Sequence, residues 1–129
     1  MDKSQILRTF NDHFIELVDD IIRVFPNNTD IKTLKTAFIK IRRANPRLIL
    51  TTIKSSVLEI YRDQIENGNL DFFIEKDYTC DFDNMKNGKT IVSKIDQLRD
   101  CVRKMTDEDK KNVVKYFHNL LKLSDLYYN

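Results

Sequence analysis

The chain is poor in the residues that punctuate structure: of 129 residues, two are glycine and two are proline. Glycine and proline end elements and shape tight turns, so their scarcity excludes a turn-dense fold and leaves long uninterrupted segments. Two cysteines, Cys80 and Cys101, lie far apart and in no paired motif. That excludes a disulfide scaffold and reads as two reduced thiols, which could bridge only if their Cα atoms came within about 7 Å. No apolar run approaches the roughly 20 residues of a membrane-crossing helix. Met1-Asp2-Lys3-Ser4 does not place a basic start before an apolar stretch, so no secretion signal is expected. Asn27-Asn28-Thr29 accordingly reads as a turn rather than a glycosylation site.

Chemistry-bearing motifs are equally sparse. There is no glycine-rich phosphate loop, nucleophile elbow or HExxH helix, and Cys80, Cys101, His13 and His118 never adopt zinc-ligand spacing. Asp81-Phe82-Asp83-Asn84 resembles the start of a calcium loop, but Val92 stands where the twelfth-position Glu belongs. His13, beside Asp12 and Glu16, reads as a surface histidine in a salt-bridged helix, and His118 as a residue at the edge of the core. A pairing of Cys80 with His118 has no local signature. The expectation is a protein that is not an enzyme and needs no cofactor or metal.

What is present is helical periodicity. Hydrophobic residues make up 41% of the chain and charged residues 33%, the balance of one globular domain spanning residues 1–129. Leu7, Phe10, Phe14, Leu17, Val18, Ile21 and Phe25 recur in steps of three and four, predicting an amphipathic helix that Pro26 ends. A second helix is expected over 31–44, with Ile31, Leu34, Phe38 and Ile41 on one stripe, after a capping turn at Asn27–Asp30. Asn45-Pro46 reads as the N-cap and first position of a third helix carrying Leu50, Ile53, Val57, Ile60, Tyr61 and Ile65. Asn67-Gly68 stops it, and Asn69 caps a short element holding Leu70, Phe72, Phe73 and Ile74. After a loop over 78–89, Ile91, Ile95, Leu98, Val102 and Met105 mark a fifth helix. Thr106 with Asp107-Glu108-Asp109 starts a sixth, through Val113, Phe117, Leu120, Leu121 and Leu126. The fold class is therefore all-α, a bundle-like array of five to six helices.

Charge is unevenly spread. Residues 31–58 hold Lys32, Lys35, Lys40, Arg42, Arg43, Arg47 and Lys54 with no acid, whereas residues 59–88 are strongly acidic. One reading is a solvated basic face answered within the fold by the acids of 59–88, such as Asp71 or Glu75. The other is a contact surface for an anion or an acidic partner, with Lys40, Arg42, Arg43 and Arg47 as its residues. Arg47 in a helix first turn is the informative member, since a cation there opposes the helix dipole while free N–H groups attract anions. A protein partner, viral or host, is the first expectation and nucleic acid at residues 32–54 the alternative, because the aromatics sit at core positions rather than among the charges.

Phe25-Pro26-Asn27-Asn28-Thr29-Asp30-Ile31-Lys32-Thr33, Ala44-Asn45-Pro46-Arg47 and Asp71-Phe72-Phe73-Ile74-Glu75-Lys76-Asp77-Tyr78 resemble segments of small uncharacterised α-helical proteins of nucleocytoplasmic large DNA viruses. The resemblance runs over most of the chain and matches no catalytic motif. It implies a structural or assembly protein of the virion or viral factory, located in the host cytoplasm and not secreted. A regulator that binds a host protein is a further reading.

Overall fold

In the computed structural model, which describes residues 2–75 and 88–129, the chain is an all-α single-domain bundle. The elements are α1 (Lys3–Val24), α2 (Thr29–Ala44), α3 (Leu48–Ile53), α4 (Arg62–Glu66), α5 (Asp71–Glu75), α6 (Gly88–Arg103) and α7 (Asp107–Tyr128). A π-helical turn, Lys54–Leu58, follows α3 directly. The expected calcium-like loop, Asp81 to Asn84, and Cys80 lie outside the described residues.

Helix α1 is the hub, packing most extensively against α7 and then α2. A capping box starts it: Asp2 Oδ1 accepts from the Gln5 amide at 2.8 Å, and Gln5 Oε1 accepts from the Asp2 amide at 2.9 Å. Its buried stripe is Ile6, Phe10, Asn11, Phe14, Leu17, Val18 and Ile21, the expected face with one polar intruder. Phe14 meets Phe38 of α2 edge to face, with centroids 4.8 Å apart.

Local signals fix most boundaries. The Asn28 side chain accepts from the amides of Asp30 and Ile31 to start α2. Gly68, at φ +76°, ends α4 in a Schellman arrangement, with Asn69 N bonded to Gln64 O and Gly68 N to Ile65 O. Asn69 Oδ1 then accepts from the Asp71 amide, and the aromatic run becomes a helical turn, not a strand. Thr106 Oγ1 accepts from the Asp109 amide at the start of α7.

Two expectations about the third helix need correcting. Asn45 is the C-cap of α2, its amide bonded to Ile41 O, and α3 begins only at Leu48 with Arg47 at its N-cap. Pro46 is therefore in the connecting turn, not the first helical position. Further on, the Ser56 hydroxyl donates to the buried Thr52 carbonyl at 2.6 Å, competing for the acceptor that an α-helical amide would use. In the turn that follows, the Glu59 amide bonds to Lys54 O, five residues back. The extra residue in this turn shifts the phase of everything after it. Ile60, expected on the buried stripe, is 56% exposed, and Leu58 is fully buried. Leu126, also expected on an apolar face, is 52% exposed near the end of α7.

Candidate functional site

Among the described residues, three of the seven basic residues of 31–58 are answered inside the fold, but mainly not by the acids expected. Lys35 Nζ meets Asp19 at 2.7 Å and Arg42 Nη1 meets Asp12 at 2.6 Å, both carboxylates on α1. Arg42 Nη2 also donates to the Arg8 carbonyl at 3.4 Å. Lys54 pairs with Glu59 at 3.3 Å, the one partner drawn from the acidic segment among the described residues. Packing α2 along α1 brings the Lys35 and Arg42 pairs together, which no reading of charge along the chain reveals.

Lys32, Lys40, Arg43 and Arg47 are exposed and have no ion-pair partner among the described residues. Arg43 and Arg42 line one wall of a groove of about 580 Å³ between α1 and α2, and Arg8 lines the other. Leu7, Ile39 and Pro46 give its lining an apolar part. Lys40 lies elsewhere on the exposed side of α2, and Arg47 lies in the turn after it. Arg8, which has no ion pair of its own among the described residues, was not singled out by sequence. Its spacing from Ser4, Leu7 and Asn11 marks one ridge of a helix, but only tertiary packing sets that ridge opposite Arg43.

Asn11 closes the back of the groove. Its side chain is 1% exposed, and Nδ2 donates to Pro46 O at 2.9 Å, tying α1 to the turn after α2. Asn11 Oδ1 is buried with no hydrogen-bond partner. Arg47's backbone donor is engaged as well: Asn45 Oδ1 accepts from the Arg47 amide at 3.3 Å, and Asn45 O from the Leu48 amide at 3.1 Å. The two amides nearest Arg47 are thus satisfied by Asn45, and the arginine contributes only its side-chain charge.

Comparison with protein-family models, with curated proteins and with solved structures returns no significant match. The functional reading therefore rests on the residues.

Among the described residues, no group of three or more His, Cys, Asp or Glu side chains is placed to hold a metal ion. His13 Nδ1 lies 3.3 Å from Glu16, while Asp12 is engaged by Arg42. His118 Nε2 is hydrogen-bonded to the Ile65 carbonyl, so it carries the proton and pins α7 to the end of α4. Cys101 is half-buried beside Asn28, and burial pushes its thiol above the ordinary range, away from the reactive thiolate. No helix among the described residues is long and apolar enough to cross a membrane.

Proposed function

We propose that this chain is a non-enzymatic protein-contact module that receives an acidic segment of a protein partner in the α1–α2 groove. The observation that carries the reading is the pair Arg8 and Arg43, without an ion pair among the described residues and on opposite walls, while Arg42 beside them is neutralised by Asp12. Two such guanidiniums beside apolar lining suit a carboxylate-bearing peptide, since each offers a planar fork of donors and the apolar lining takes the peptide's apolar side chains.

The test is a titration of the full chain with a Glu-rich peptide bearing interspersed leucines, against its Gln-substituted counterpart. Binding of the acidic form alone, reduced by Arg8→Ala with Arg43→Ala, supports the reading. Equal binding of both peptides overturns it.

The biological setting we propose is that of a structural or assembly protein of a large DNA virus, acting in the host cytoplasm, viral factory or virion. This part rests on the sequence resemblance and is tested by proteomics of purified particles. Retention of the chain in particles washed at high salt supports it, and loss of the chain in that wash contradicts it. A nucleic-acid-associated role is the second reading, favoured by exposed Lys32, Lys40, Arg43 and Arg47 having no ion pair among the described residues. Binding to mixed-sequence duplex DNA that falls steeply with salt would select it.

A further inference from the structure

On the other side of α1 lies a second depression, a cleft of about 380 Å³ against α7. His13, Glu16 and Asp20 of α1 face Tyr116 of α7 across it, with Lys115 at its exposed rim. This is the opposite chemistry from the basic groove, and three features define what it can hold.

The first is a pair of unsatisfied acceptors. Glu16 accepts from His13 Nδ1 at 3.3 Å, so in the neutral ring the proton sits on Nδ1 and Nε2 presents its lone pair. Nε2 is buried and has no partner. Asp20 Oδ1 is engaged by Arg23, which also reaches Asp109, but Asp20 Oδ2 is buried and unpartnered too. Buried polar atoms of this kind are costly to leave unpaired and mark where a donor is missing. Asp20 Oδ2 can only accept, and His13 Nε2 accepts in the neutral ring.

The second feature is an aromatic face. The Tyr116 ring packs on the imidazole at a centroid distance of 4.8 Å and lines the cleft. A ring face attracts a cation placed over it. The third is the local field. Burial, then the charges of Asp20 and Glu16, push the Tyr116 hydroxyl above its ordinary pKa, as a negative and partly desolvated surrounding requires.

We propose that this cleft binds a guanidinium or alkylammonium cation, its N–H donors meeting Asp20 Oδ2 and His13 Nε2 and its charge resting against the Tyr116 ring. Both acceptor atoms are buried in the structure, so binding has to open the cleft over them. The cation is either a small free molecule or an arginine or lysine side chain of a partner. The site is independent of the α1–α2 groove, which selects the opposite charge.

The experiment is a titration of the isotope-labelled full chain with methylguanidinium and methylammonium chloride, followed by backbone amide resonances, with sodium chloride at matched ionic strength as control. Saturable shifts centred on His13, Glu16, Asp20 and Tyr116 are expected. Asp20→Asn, which keeps Oδ1 for Arg23, should weaken binding about tenfold, as loss of a charge-assisted bond does. His13→Phe, which keeps the aromatic packing but removes the acceptor, should weaken it severalfold. Arg8→Ala with Arg43→Ala should leave it unchanged, which separates this site from the groove. A Gly-Arg-Gly peptide binding more tightly than methylguanidinium assigns the cation to a partner's side chain, and equal binding assigns it to a free molecule. Absence of saturable shifts, or equal binding by folded Asp20→Asn and His13→Phe, overturns the proposal. Binding seen only after Lys115→Ala does so too, because Lys115 is then the cleft's own occupant.

Discussion

Asn11 and Pro46, thirty-five residues apart, are joined by one hydrogen bond of 2.9 Å from the Asn11 side-chain amide to the Pro46 carbonyl. Asn11 interrupts an otherwise apolar stripe of α1, so its polarity must be answered, and only the turn between α2 and α3 answers it. The bond ties α1 to the turn after α2, beside the groove that Arg8 and Arg43 line.

Replacing Asn11 with Ala removes this donor from the carbonyl of Pro46, an exposed residue. A loss of about 0.5–1.5 kcal/mol is expected, the net worth of an ordinary intramolecular hydrogen bond. Urea denaturation monitored by circular dichroism measures it, and unchanged stability would show the bond to be incidental.

The two asparagine caps should differ. Asn28 accepts from two amides at the start of α2, and its replacement by Ala should cost roughly 1 kcal/mol. Asn45 accepts from one amide at 3.3 Å ahead of a six-residue helix, so Asn45→Ala should cost less, at the low end near 0.5 kcal/mol. Paired denaturation curves decide, and an Asn45 variant the less stable of the two would contradict the ranking.

The π-helical turn predicts an inversion at neighbouring sites. Leu58→Ala should cost about 2–5 kcal/mol, since the side chain is fully buried. Ile60→Ser should change stability by no more than about 0.5 kcal/mol, because Ile60 faces water. In a continuous α-helix the order would reverse.

Arg62 grips Asp125 through two bonds of 2.8 and 2.7 Å, joining the end of α7 to α4, and these hydrogen bonds hold the Asp125 carboxyl below the usual range. The folded chain thus gives up this proton more readily than the unfolded one. Its stabilisation is in full above the unfolded carboxylate pKa, near 4, and is lost as pH falls toward the lower folded value. The pair is partly exposed, so its contribution is at most about 1 kcal/mol. Asp125→Asn should lower stability at pH 7 and flatten its decline below pH 4, and an acid limb identical to the parent's would contradict the assignment.

What sequence reveals here divides by range. Asn28, Asn69, Thr106 and Asn67-Gly68 act within a few residues of their own amides, and each does in the fold what its type and order suggest. Asn45-Pro46 misleads because the same Asn can close one helix and cap the next turn. The π-helical turn is hidden as well: an amide that bonds five residues back leaves no mark on apolar spacing, which places Ile60 on the buried stripe. The groove is less legible still. Arg43 stood out by charge, but its counterpart Arg8 and the Asn11 tether depend on how α1 lies against α2. Likewise, Asp12 and Asp19 become partners of Arg42 and Lys35 only through that packing.

The central claim is that Arg8 and Arg43 are kept free of internal partners in order to receive an acidic segment. Its most direct test is isothermal titration of the Glu-rich peptide into the parent and into the Arg8→Ala, Arg43→Ala variant, beside their urea denaturation curves. Both arginines are exposed and without ion pairs among the described residues, so stability should agree within about 0.5 kcal/mol while affinity falls tenfold or more. A variant that binds the peptide as tightly as the parent, or loses stability in place of affinity, would contradict the claim.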